Sequence, residues 1–311
     1  MAKKMITFPS VTGETLEGAL WIPETEGKGV VQLVHGMAEH IGRYEEPAEK
    51  LCEAGYIVVH HNHLGHGNTA PVKGYFAEKD GWEALLQDID TVRRKTQKEY
   101  PALPYYLLGH SMGSFLVRCY LQEYDQDRQL DGAILSGTGY YGKGLVVFAK
   151  GLAKTMNAFG YKKKPAKLIN TLAFSGGNKQ FKPVKTEFDW TSRDVEKVRA
   201  YAEDPLCGFV FTGQGYYDLF SGLYRLSDKE KLGKMNPDLP VYFFSGDRDP
   251  VGSNGKGVKQ VAEDFRQAGM KKVDVVLYPD GRHEMFNEIN RKEVIDDLIY
   301  WLDGQVEQKA D

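Results

Sequence analysis

Short apolar runs bounded by turn residues alternate with helical patterns along this chain, and that rhythm restricts its fold more than any other feature. TLEGALWIP and KGVVQLVHG read as strands, RYEEPAEKLCEAG as a helix and YIVVHHNH as the next strand. WEALLQDIDTVRRKTQKEY sets Leu85, Leu86, Ile89 and Val92 at helical spacing among charges, and leads to the strand YYLLG, the helix SFLVRCYLQEY and the strand GAILSG. Later, PVYFFSGD and KVDVVLYPDG predict strands separated by the helix VKQVAEDFRQAG and followed by the helix KEVIDDLIYWLDGQV. Continuous apolar strands joined by helices have to be covered on both faces. The expected class is therefore α/β, with a mostly parallel central sheet flanked by helices.

The rhythm stops between about Thr138 and Pro240, where GLVVFAKGLAKTMNAF, SRDVEKVRAYAEDP and GQGYYDLFSGLYRL are helical and no buried strand is evident. The economical division is a core of residues 1–140 and 237–311 interrupted by a helical insertion over 141–236, and 311 residues can bury such a core. Within the insertion, Leu145, Phe148, Leu152, Met156 and Phe159 share one helix face. They are expected to pack on the core or line a pocket; the lesser alternative is an interfacial helix, helped by Lys162, Lys163 and Lys164.

Forty basic against forty-three acidic residues leave no global field to recruit nucleic acid. No apolar stretch reaches secretory or membrane-spanning length, so a cytoplasmic protein is expected. Three distant cysteines, Cys52, Cys119 and Cys207, predict free thiols rather than a disulfide or zinc framework. The run from His60 to His66 raises the possibility of a metal site, but no nearby acid or cysteine completes a ligand set. A hydrogen-bonding loop is expected there instead, with neither metal nor cofactor.

Gly109-His110-Ser111-Met112-Gly113 follows one apolar strand and opens a helix. That context turns a common pattern into a candidate nucleophile, because a strand-to-helix turn lifts a serine hydroxyl above the sheet and the glycines relieve the crowding. A serine needs a base and an acid to orient that base. If the order is serine, acid, histidine, only His283 follows Ser111, on a loop after a strand. Asp247 and Asp249 both leave the preceding strand, and position alone does not separate them. For a developing oxyanion, the candidate donors are the N–H groups of Met112 and of Met37, the latter following His35-Gly36 at another strand end.

These blocks resemble the α/β-hydrolases, and more closely the Hydrolase_4, serine aminopeptidase S33-type group that contains monoacylglycerol lipases and lysophospholipase-like esterases. The resemblance rests on VHGMAEHIGRY (34–44), HNHLGHG (61–67), LLGHSMG (107–113), SGDRDPV (245–251) and RHE (282–284), in the family's order. It implies a helical cap between the sixth and seventh core strands, and it selects Asp249 over Asp247 as the acid. It also implies a single-chain acyl ester as substrate: a monoacylglycerol, a lysophospholipid or a smaller ester. The chain departs from the family at Asn62, where Asp is usual, and the cap sequence matches no substrate-defined member. Gly36, His110, Phe148, Tyr217 and Phe220 are the candidates for the substrate pocket, with His110 expected to support the turn rather than act as base.

Two other readings remain open. An amidase, peptidase or thioesterase would use the same three residues, and a peptidase acting on free N-termini would need an acidic cluster drawn from Glu187, Asp189, Asp194, Glu203 and Asp204. A non-catalytic binding protein on a hydrolase scaffold is the second, although it would have no need of a base beside a serine. The partner expected is a small acyl ester, with at most transient contact between the insertion and lipid aggregates; the sequence leaves the oligomeric state undefined.

Overall fold

The computed structural model describes residues 1–310. Its sheet has eight strands, β1 (Ala2–Pro9), β2 (Thr15–Ile22), β3 (Gly29–Val34), β4 (Tyr56–His61), β5 (Tyr105–His110), β6 (Gly132–Ser136), β7 (Val241–Gly246) and β8 (Val273–Tyr278), in the order β1-β2-β4-β3-β5-β6-β7-β8. β2 runs antiparallel to β1 and β4, and the strands from β4 across to β8 are parallel. Among the described residues, five of the ten α-helices, α1 (Glu45–Glu53), α2 (Gly81–Glu99), α3 (Met112–Glu123), α9 (Lys256–Gln267) and α10 (Arg291–Ala310), flank the sheet. The other five, α4 (Lys143–Met156), α5 (Lys167–Phe174), α6 (Val195–Glu203), α7 (Gly213–Arg225) and α8 (Lys229–Leu232), fall between β6 and β7 with no named strand among them.

The expected sheet class follows directly from strand burial. Val30 and Val34 of β3 pack into one apolar cluster with α2, α3 and α9, whereas Val31 and Leu33 pack into another with α1 and α10. Alternate side chains thus enter opposite layers, and β3, β4, β5, β6 and β7 are buried along their whole length. The sequence reading missed β1, whose Lys3 and Lys4 are exposed and which pairs on one side only. It also missed α5, where one apolar side chain, Ile169, is buried.

Parallel strands send all their C-terminal loops to one edge. Because β4 and β5 flank β3 on opposite sides, the loops after β3 and β5 leave in opposite directions and open a crevice there. The loops after β3, β5, β7 and β8 build the site.

Candidate active site

Ser111 stands between β5 and α3 with φ 51° and ψ −119°, a conformation that side-chain-bearing residues rarely adopt. The turn exists because its neighbours are glycines: a methyl on Gly109 would lie 2.4 Å from the Gly113 carbonyl oxygen, and one on Gly113 would lie 2.0 Å from that of Val34. The Ser111 N–H donates to the Ser136 carbonyl at 2.9 Å, and Ser114 Oγ donates to the Ser111 carbonyl at 2.6 Å, so both sides of the turn are held.

His283 reaches Ser111 from the loop after β8. Its Nε2 lies 2.9 Å from Ser111 Oγ and its Nδ1 lies 3.0 Å from Asp249 Oδ2, in one continuous line. Asp249 is fully buried, and it also accepts from Ser245 Oγ at 3.1 Å and from the Val251 N–H at 2.8 Å. Asp247, on the same loop, is half-buried and takes no part in this chain. Burial alone would lower the pKa of His283, but the Asp249 carboxylate outweighs it, and the imidazole is raised above its ordinary 6.5.

The loop after β3 approaches so closely that a methyl on Gly36 would stand 3.1 Å from Ser111 Cβ and 2.7 Å from Glu39 Oε1. Glu39 accepts from the Gly36 N–H at 2.5 Å and from the Tyr44 hydroxyl at 2.7 Å. Arg43 then bridges Glu39 at 2.8 Å and both oxygens of Glu284 at 2.8 and 2.6 Å. Burial would raise the Glu284 carboxyl, yet Arg43 holds it below the usual range. The residue next to His283 is thereby tied to the loop carrying Met37. Sequence reasoning gave Glu39, Arg43 and Glu284 no role, since 241 positions separate Arg43 from Glu284.

The histidine-rich stretch props this same loop. His66 Nε2 accepts the Ala38 N–H at 3.1 Å while its Nδ1 donates to the Leu64 carbonyl, and His35 Nε2 accepts the His63 N–H at 3.0 Å. Burial pushes His61 and His66 down to about 4, so both are neutral at physiological pH. Asn62 bridges the Ile41 N–H and Glu17. Among the described residues the metal-like grouping is a different one, His40, Asp204 and Cys207. There His40 Nδ1 accepts the Gly42 N–H, so Nε2 carries the hydrogen that it gives to Asp204 at 2.8 Å and has no lone pair left for an ion.

A cavity of about 660 Å³ opens over Ser111, lined by the core on one side and by α4, α5 and α7 on the other. Gly36, Met37, His110 and Met112 line it, as do Phe148 and Phe220. His110 Nδ1 is held at 3.1 Å from Ser136 Oγ, behind His283, and burial lowers its pKa to about 3. Tyr217 corrects the sequence reading. One residue along α7 from Tyr216, it turns away from the cavity and packs under Lys150, and the wall is made by Tyr216, Leu219, Phe220 and Leu223. The expected stripe on α4 also divides: Leu152 and Met156 pack half-buried against the core, Leu145 and Phe148 line the cavity but remain 62% and 69% exposed, and Phe159 is exposed away from the wall; the fully buried side chains of the helix are Val146 and Ala153, outside the stripe. From the segment before α6, Trp190 lies against the His283 ring, with centroids 5.1 Å apart and the planes tilted by 36°.

Residues 25–290 match the family described as serine aminopeptidase, S33 (Hydrolase_4). The chain belongs to this family. Its members are α/β-hydrolases, and the similarity extends over nearly the whole chain. It is 30% identical over 300 residues to a monoacylglycerol lipase of Mycolicibacterium smegmatis, covering 95% of each chain. It is 29% identical over 304 residues to the monoglyceride lipase of Homo sapiens, covering 96% of this chain and 88% of the other. Among solved structures, a thermostable carboxyl esterase from Bacillus coagulans superposes with a TM-score of 0.91 at 30% identity, covering 98% and 99% of the two chains. A monoglyceride lipase variant from Saccharomyces cerevisiae shares the fold at a TM-score of 0.78 and 20% identity, covering 98% of this chain and 96% of that one. The Hydrolase_4 chain described here is a serine ester hydrolase.

Proposed function

We propose that the protein cleaves single-chain acyl esters, monoacylglycerols, lysophospholipids or smaller esters, through an acyl-enzyme on Ser111. The observation that carries this reading is the Ser111–His283–Asp249 hydrogen-bonded line opening into a largely apolar cavity. His283 takes the serine proton as Ser111 attacks the ester carbonyl, and gives it to the departing alcohol. Asp249 holds the imidazole and balances its charge; water, activated by His283, then releases the acid. The N–H groups of Met37 and Met112 stabilise the oxyanion. Met112 is the first residue of α3, so its amide has no acceptor one turn back in the helix, and the helix N-terminus favours negative charge there.

Residues 141–236 act as a cap that selects the acyl group and excludes water. Their contact with lipid aggregates is transient. Supporting it are the exposed Phe148 and Leu172 at the cavity and the exposed Leu168 on α5, in a stretch between Asp131 and Glu187 that holds ten lysines and no acid.

A peptidase acting on free N-termini fits less well. Of the five acidic residues available, Glu187 lines the cavity, whereas Asp189 is bound by Thr186, Asp194 caps α6 and pairs with Arg291, Asp204 pairs with His40, and Glu203 is exposed and away from the wall. The test is a p-nitrophenyl ester chain-length series with a monoacylglycerol, lysophosphatidylcholine and an amino-acid p-nitroanilide, on native protein and Ser111→Ala. Ester turnover abolished in Ser111→Ala is the expected result. Faster cleavage of the anilide than of any ester would overturn the substrate class.

A further inference from the structure

Beneath the segment joining β6 to α4 lies a second cavity of about 220 Å³, and its wall holds a buried cation whose nearest acid, Asp264 on the same wall, acts on it only through space. Arg118, on α3, is 6% exposed. Its Nη1 donates to Thr138 Oγ1 at 3.3 Å and to the Gly139 carbonyl at 2.9 Å, while its Nε meets no acceptor. Arg93, buried to the same degree, holds Asp90 at 2.9 Å, and Arg43 holds Glu284 at 2.6 Å. Among the described residues Arg118 has no such pair, and removing a guanidinium from water without an anion is unfavourable. Burial accordingly lowers its pKa to about 10.

The rest of the wall indicates which anion would fit. Leu223, Leu226 and Leu232 supply an apolar side, and Lys143 adds a second positive charge. Asp264 also lines the cavity, with one carboxylate oxygen taken by Gln260 at 3.0 Å, so the local balance has room for one negative charge rather than two. Lys143, Tyr140, Tyr141 and Ser227 are the other polar groups on the wall, so the choice rests on charge and shape: a single negative charge balances Arg118 and Lys143 against Asp264, the planar guanidinium matches a carboxylate, and the three leucines would contact an apolar tail that inorganic phosphate lacks.

We propose that this cavity binds a small carboxylate with a short apolar tail, the carboxylate accepting from Arg118 and the tail lying among Leu223, Leu226 and Leu232. Tyr141 and Leu223 line both this cavity and the larger one over Ser111, so an occupant would sit directly behind the acyl wall. Binding requires no turnover; because hexanoate is also a product of the proposed hydrolysis and can enter the cavity over Ser111, the Leu226→Trp variant separates the two sites.

Calorimetric titration of the native protein with hexanoate, hexanol and inorganic phosphate tests the assignment. Hexanoate should bind at one saturable site, with hexanol and phosphate about tenfold weaker or worse. Arg118→Gln should weaken hexanoate by a similar factor. Leu226→Trp, which fills the second cavity and does not line the larger one, should do the same while leaving the guanidinium in place; it carries the test alone if Arg118→Gln does not fold. Absence of hexanoate binding to the native protein would overturn the proposal. So would hexanol or phosphate binding as tightly as hexanoate, or affinity undiminished in Leu226→Trp, which would place the carboxylate over Ser111 instead.

Discussion

His283 and Asp249 are 3% and 0% exposed, whereas Leu145, Phe148 and Leu172, facing them across the same cavity, are 62%, 69% and 61% exposed. On the sheet side, each group is fixed by several hydrogen bonds: Asp249 by three partners, Glu39 by three more, and Ser111 by a turn that two glycines permit. On the insertion side, the wall is apolar surface from α4, α5 and α7 with few polar ties. Those ties come from around the wall: the Glu284 N–H donates to the Thr191 carbonyl at 2.7 Å, Arg193 pairs with Glu288 at 2.9 Å, the Gly208 N–H and the Tyr201 hydroxyl donate to the Ala38 carbonyl at 2.9 and 3.0 Å, and Arg225 of α7 pairs with Glu83 at 2.6 Å. Chemistry demands fixed distances, and the core supplies them. The acyl selection proposed for the insertion would demand only shape and apolarity, which half-exposed helices supply and could change without disturbing the reaction.

Breaking the fixed side should cost most. Asp249→Asn is expected to lower kcat by about 10⁴-fold, because the imidazole loses its orienting partner, while Asp247→Asn stays near native. Steady-state kinetics of both variants decide between the acids, and the reverse order would reassign the role. Arg43→Met leaves Glu39 and Glu284 buried without their cation, so thermal or denaturant unfolding should show a loss of about 3–5 kcal/mol. An unchanged melting temperature would mean that the network does not brace the site.

A pH profile sharpens the same side. In the proposed role of base His283 must be neutral, and its raised pKa means that protonation sets in above the ordinary 6.5 as pH falls. kcat/KM should therefore decline on the acid side with a midpoint above 6.5; a midpoint below it would show that Asp249 does not dominate the imidazole.

Changes on the insertion side should be smaller and selective. Leu152→Trp, which adds bulk within the apolar wall, is expected to reduce kcat/KM for long-chain p-nitrophenyl esters about tenfold and to leave the acetate ester nearly unchanged. Equal loss on both would place α4 in the chemistry. Phe148→Ser should produce the mildest effect, about a twofold to threefold loss of rate on micellar substrates and none on monomeric ones.

The same division explains what the sequence made legible. Apolar runs and helical spacing expose the parallel sheet because every residue of β3 to β7 is buried, and local glycine patterns expose Ser111 because its turn is made within five residues. His283 follows from being the one histidine after Ser111. Asp249 was separable from Asp247 only by family resemblance, since the choice depends on which side chain turns inward beneath the loop. The Arg43 bridge was hidden because its partners come from opposite ends of the chain. Tyr217 was misplaced because an aromatic stretch on a helix does not reveal which side meets the cavity; a rotation of one residue selects Tyr216.

The most direct test of the central claim is fluorophosphonate labelling followed by peptide mapping, comparing native protein with His283→Ala. One adduct on Ser111, forming orders of magnitude more slowly without His283, is the expected result. No adduct, an adduct on another residue, or equal labelling rates in the two proteins would contradict the claim that Ser111 is a nucleophile activated by His283.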